Sequence, residues 1–193
     1  MANGARLSIL TRLDRETSGL VLVAKNAAAA RHFSFQFQDR KVEKEYLAIV
    51  HGWPEWDDLK MEASIIRGGG AIWLRQVVDP AGRDCITSFR VERRFSNALG
   101  EFAVLRCFPE TGRMHQIRVH LEHAGHPLVG DKIYGTDGSA YLEQIGGQLS
   151  DESVARLILP RHALHACFLA ADWNDRRIEW RSELPPDLSR FVR

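Results

Sequence analysis

A chain of 193 residues is long enough for one well-filled core, and 45% apolar with 26% charged residues is the balance of a folded domain, which excludes a disordered or fibrous protein. A net charge of only +1 argues against a strongly basic nucleic-acid binder, so any such surface must come from local clusters such as Arg12, Arg15, Arg40, Lys41 and Lys44. Apolar runs such as 20–24 are too short to cross a bilayer, which predicts a cytoplasmic protein, and the scattered Cys85, Cys107 and Cys167 exclude a disulfide framework or a four-cysteine zinc site.

In chain order, Thr17-Ser18-Gly19 predicts a turn into a buried strand over 19–25, where Leu20 to Val23 form a continuous β-favouring run. Asn26 is positioned to cap a helix running to about 40, because the alanines after it favour helix and Phe33 and Phe37 then share a face. Alternation over 42–50 predicts a strand with Lys44 and Tyr46 on one side and Leu47 and Ile49 on the other. Gly68-Gly69-Gly70 lacks the Lys-Ser/Thr of a phosphate-binding loop and reads as a hairpin tip, so no nucleotide cofactor follows from it.

Further strands are predicted over 87–94 and 102–108, with a turn at 97–100 between them. Thr111 is the predicted cap of a helix that begins near Arg113 and stops before Gly125, with Ile117, Leu121 and Ala124 facing the core. Segments 162–173 and 177–183 predict a hairpin across Asn174-Asp175, and Pro185-Pro186 ends regular structure. Irregularly mixed helices and antiparallel strands give the class α+β, a mixed and mainly antiparallel sheet flanked by helices.

Two segments carry candidate chemistry. In Arg12-Leu13-Asp14-Arg15-Glu16-Thr17-Ser18-Gly19, an aspartate sits among arginines before a tight turn. Guanidinium groups hold a carboxylate ionised and oriented, as a nucleophile or base requires, although a surface ion pair anchoring the turn fits the same residues. In 111–120, His115 and Arg118 lie three apart on the predicted helix, forming a polar edge beside the buried stripe. Arg118 either reaches inward or lies along the helix with its head in water.

Taken together, RLDRETSGLVLVAK (12–25), KEYLAIVHG (44–52), TGRMHQIRVHLEHAGHPLVGDKIYG (111–135) and LHA (164–166) resemble the RluA-type pseudouridine synthases, in the family's order and over nearly the whole chain. The resemblance implies a pseudouridine synthase-like fold and an enzyme that isomerises uridine in ribosomal or transfer RNA without metal, redox agent or other cofactor. It implies that Asp14 is the catalytic aspartate, Tyr46 the aromatic residue against the target base, and Arg118 the basic partner of Asp14. An aromatic ring suits that role because a flipped-out base loses stacking worth about 1 to 3 kcal/mol. Arg12, Arg15 and Arg113, with His115 and Gln116, are expected to bind the RNA. Arg75-Gln76 also fits a basic segment of the family, or a solvated pair. In the family the aspartate attacks the sugar, attacks the base, or removes a sugar proton, and Asp14 is needed in each.

Thr11 stands where many relatives have histidine, and only thirteen residues precede Asp14, where members carry a longer segment with a pair of strands. The expectation is a single catalytic domain over 1–193 with a shortened amino end. Two rival readings follow. One is an RNA-binding module of the same fold with impaired catalysis. The other is a zinc-dependent hydrolase using His115, His120, His123 and His126 with Asp131, although the carboxylate ligand and base of a familiar zinc-binding helix are missing.

Overall fold

A computed structural model describes residues 7–193. In chain order the elements are β1 (Ser8–Ile9), β2 (Ser18–Gly19), β3 (Val23–Ala24), α1 (Ala27–Gln38), β4 (Glu43–His51), β5 (Asp58–Glu62), β6 (Ile65–Arg67) and β7 (Gln76–Val78). Then come β8 (Ile86–Asn97), β9 (Gly100–Pro109), α2 (Gln116–His123), α3 (Ser139–Ile145), α4 (Asp151–Leu157), β10 (Leu164–Trp173), β11 (Arg176–Arg181) and α5 (Pro186–Phe191). The class is α+β, as expected. The main sheet has the order β11-β10-β4-β9-β8-β5 and its neighbours are antiparallel, while β2 joins β10 in parallel.

Strand alternation builds a core on each face of the sheet. Ala103, Leu105 and Cys107 of β9 face Ile117 and Leu121 of α2, whereas Phe102 and Val104 face Leu188 of α5. Leu121 is fully buried, so truncating it to alanine removes about 2 to 5 kcal/mol of the packing that docks α2. That docking matters because α2 carries Arg118 to Asp14 and Asp131. The three cysteines are buried and free. Among the described residues no helix is long and apolar enough to cross a membrane.

The helix after Asn26 forms as the sequence predicts: Asn26 Oδ1 accepts from the Ala29 N–H at 2.9 Å, and Phe33 and Phe37 pack towards Val42 and Leu169. Arg40, left-handed at φ 57°, follows its end. Asn174 and Asp175, at φ 50° and 58°, make the tight turn between β10 and β11, a backbone that asparagine and aspartate tolerate.

Four expectations need correction. Residues 19–25 are not one buried strand: Ser18–Gly19 pairs with β10, and Val23–Ala24 pairs with β1 in a separate two-stranded ribbon. One face of that ribbon is open, so Leu20 and Leu22 pack against the α1 cluster while Val21 and Val23 are 47% and 39% exposed. Next, α2 begins at Gln116 rather than near Arg113, because His115 adopts a left-handed backbone at φ 57°. Thr111 does not cap it; its hydroxyl donates to Gln116 Oε1 and accepts from the Ile86 N–H. Finally, Pro186 starts α5 instead of ending structure, since a proline at the first helical position lacks only an N–H that the helix does not use.

Candidate active site

A cleft of about 480 Å³ opens between the 10–17 segment, β4 and the 111–118 segment. Asp14, Tyr46 and Arg118 line it, and so do Arg12, Arg15, Arg113, His115 and Gln116. Three stretches far apart in sequence thus meet, because β2 runs beside β10, β10 beside β4, and α2 packs on the same sheet.

Asp14 is half-buried at the entrance of the turn before β2, and the Thr17 N–H donates to its carbonyl at 3.0 Å. Its Oδ2 accepts from Arg118 Nη1 at 3.0 Å. The other side of the guanidinium is held by Asp131, whose Oδ2 and Oδ1 accept from Nε at 2.7 Å and from Nη2 at 2.8 Å. Asp131 has no exposed side-chain surface, and its Oδ1 also accepts the N–H groups of Ile133 and Tyr134. Burial alone would lower the pKa of Arg118 and raise that of Asp131, yet their mutual hydrogen bonds outweigh it, so Arg118 rises and Asp131 falls from the ordinary value. The result is a fixed cation that points one donor at Asp14.

His115 forms the adjoining wall. Its Nδ1 lies 2.9 Å from the Tyr134 hydroxyl, which also accepts the Gln76 N–H at 2.9 Å. Among the described residues the Tyr134 proton has His115 Nδ1 as its acceptor, which leaves the imidazole proton on Nε2, 3.9 Å from Asp14 Oδ2. Burial, helped by the Arg118 charge, pushes the His115 pKa down to about 4, so the ring is neutral at pH 7. Its left-handed backbone costs about 1 to 3 kcal/mol, a strain that aims the ring at the cleft. His162 is likewise pushed down to about 4 by burial and Arg118, and its Nε2 hydrogen-bonds the Thr17 hydroxyl at 2.7 Å, fixing the turn after Asp14.

Tyr46 sits mid-strand, opposite Cys107 on one side and Ala166 on the other. Burial, then the Asp14 charge, pushes its phenol up to about 12, so it presents a neutral ring. Lys44, two residues earlier on the same side of β4, also lines the cleft, and burial lowers its pKa. Arg12, Arg15 and Arg113 are exposed around this space, a cationic rim suited to a polyanion.

Gln116 is different from the other residues expected to bind RNA. Its Oε1 accepts from the Thr111 hydroxyl and the Arg113 N–H, and its Nε2 donates to Ile86 and Thr87, so it ties the cleft wall to β8 and offers no spare polar atom. Arg75 is paired with Glu122 at 3.1 Å rather than solvated. The histidines of the zinc reading are dispersed: both ring nitrogens of His120 are engaged by Thr87 and Ala63, His126 bonds the His51 carbonyl, and His115 bonds Tyr134. Among the described residues no cluster of three or more such side chains is disposed to hold a metal ion.

Sequence reading assigned no role in this site to Lys132 or His162, and treated Asp131 only as a metal ligand. The adjacent opposite charges Asp131-Lys132, just beyond the apolar Leu128-Val129 and Gly130, are the sequence signal for that pair, since charges so placed are buried only when paired.

Comparison with known proteins agrees with this geometry. Residues 2–123 match the family model described as RNA pseudouridylate synthase. The ribosomal large subunit pseudouridine synthase D of Pseudomonas aeruginosa is 39% identical over 189 residues, 97% of this chain and 56% of that protein. Synthase C of Escherichia coli is 39% identical over 132 residues, 67% of this chain and 40% of its own. The chain thus spans about half the length of the curated relatives it matches. Among solved structures, human RNA pseudouridylate synthase domain containing 1 has a TM-score of 0.77 at 26% identity, covering 95% of this chain and 72% of that one. The chain belongs to the RNA pseudouridylate synthase family, of the RluA type.

Proposed function

We propose that the protein converts specific uridines of large-subunit ribosomal RNA to pseudouridine. The observation that carries this is the Asp14–Arg118 pair, an oriented carboxylate at the edge of a cleft whose wall includes the flat ring of Tyr46. The names of the relatives support ribosomal RNA as the substrate class.

In this reading a uridine leaves its stack and enters the cleft, where Tyr46 replaces the lost stacking. The N1–C1′ bond breaks and C5–C1′ forms; the C5 proton leaves to solvent and N1 gains one. Asp14 acts on the nucleoside while Arg118, donating to its Oδ2, keeps the carboxylate aimed. Arg12, Arg15 and Arg113 hold phosphates and set the register of the strand. A ribosomal RNA substrate fits a cytoplasmic protein. The test is to map pseudouridines in ribosomal and transfer RNA of a strain lacking the gene. A large-subunit site that disappears and returns on complementation is expected; loss from transfer RNA alone overturns the substrate, and an unchanged map overturns the activity.

A further inference from the structure

Five charged side chains beside the cleft form a closed ring. Asp14 accepts from Arg118 at 3.0 Å, and Arg118 donates twice to Asp131 at 2.7 and 2.8 Å. The next residue, Lys132, is 3% exposed; its Nζ donates to Glu16 Oε1 at 2.7 Å and to the Pro160 carbonyl at 2.6 Å. Glu16 lies two residues after Asp14, in the turn closed by the Thr17 N–H, so the ring returns to its start through the backbone.

We propose that the dipeptide Asp131-Lys132 is the positioning element of the Asp14–Arg118 pair, one residue fixing the guanidinium and its neighbour fixing the turn that carries the carboxylate. Because the two are adjacent, the gap between acid and base is set by one peptide unit rather than by the distant elements that bear them. That unit is itself rigid. Val129 bonds Ile49 and Ala163 at 3.0 and 2.9 Å, and Gly130 passes so close to Arg161 that a Cβ would stand 2.2 Å from its carbonyl oxygen. A buried ion pair adds little net stability over an apolar replacement, so what Lys132 and Glu16 contribute is registration.

The same turn is also tied by His162 to Thr17 and by Arg161 to the Glu16 carbonyl, which makes redundancy of Lys132 the competing account. The chemical readout rests on the proposed synthase activity; the geometric one does not. Single-turnover tritium release from uracil-5-labelled large-subunit ribosomal RNA is measured for wild type, Lys132→Met, Glu16→Ala, the double variant and Asp131→Asn, with RNA Kd and thermal melting alongside. Each single variant is expected to slow release about 10- to 100-fold with Kd nearly unchanged. The double variant should fall no further than either parent, and Lys132→Arg should recover most of the rate. Rates near wild type, multiplicative losses, or losses that follow Kd overturn the proposal. In a crystal structure of Lys132→Met, or of Glu16→Ala should that variant melt early, Asp14 Oδ2 is expected beyond about 3.5 Å from Arg118 Nη1. An unchanged pair overturns the positioning role even if wild type releases no tritium, an outcome that by itself counts against the synthase reading alone.

Discussion

Oδ2 of Asp14 and Nη1 of Arg118 are 3.0 Å apart although 104 residues separate them in the chain. The contact uses one arm of a guanidinium whose other donors are held by a carboxylate with no solvent contact, Asp131. A lysine can supply one charge but not this planar fork. Arg118→Lys is therefore expected to fold and to lose about 10- to 100-fold in kcat with little change in RNA affinity. Arg118→Met removes the charge beside buried Asp131 and is expected to cost about 3 to 5 kcal/mol in urea unfolding.

Tyr46 separates stacking from acid–base use. Its phenol is held neutral, so if the ring alone matters, Tyr46→Phe keeps most of kcat/KM, whereas Tyr46→Ala loses the equivalent of about 1 to 3 kcal/mol. Steady-state kinetics on the mapped RNA site decides between them; an inactive phenylalanine variant would mean that the hydroxyl takes part in the chemistry.

Acid should weaken the fold before it reaches the carboxylates. His115 and His162 are pushed from the ordinary 6.5 down to about 4 in the folded chain, chiefly by burial and next by Arg118. Between those values the unfolded chain binds protons that the folded chain excludes, so their contribution is complete above about pH 6.5 and declines as pH falls towards 4. Urea unfolding at pH 7 and pH 5 is expected to differ by on the order of 2 kcal/mol for each histidine, and His162→Gln should flatten the dependence.

Gly19 carries the chain from the Asp14 turn onto β10. Its φ is +113°, and a Cβ there would stand 2.2 Å from the Ala166 carbonyl oxygen and 2.6 Å from its nitrogen. Gly19→Ala is expected to cost about 2 to 5 kcal/mol and to reduce activity by displacing Asp14, whereas alanine at Gly69, where a Cβ meets nothing within 4 Å, should leave stability nearly unchanged. Parallel denaturation curves check both.

Periodicity made the helix after Asn26, the long strands and the β10–β11 hairpin legible from sequence, and motifs brought out Asp14, Tyr46 and Arg118. What stayed hidden depends on which partners arrive from elsewhere. The run 20–23 reads as doubly buried, but only contact with α1 on one face decides that Val21 and Val23 remain exposed. Gln116 resembles a binding residue until Thr111, Ile86 and Thr87 take up its polar atoms, and Asp131 resembles a metal ligand until Arg118 reaches it. Lys132 and Glu16 are 116 residues apart, so neither predicts the other.

The most direct measurement is tritium release from uracil-5-labelled large-subunit ribosomal RNA by the wild-type chain and by Asp14→Asn, which keeps the side chain's shape and removes its charge. Release by wild type that falls at least about a thousandfold in a variant with the same melting temperature and RNA affinity is the predicted result. Equal release from both proteins, or RNA binding with no release from either, would contradict the account.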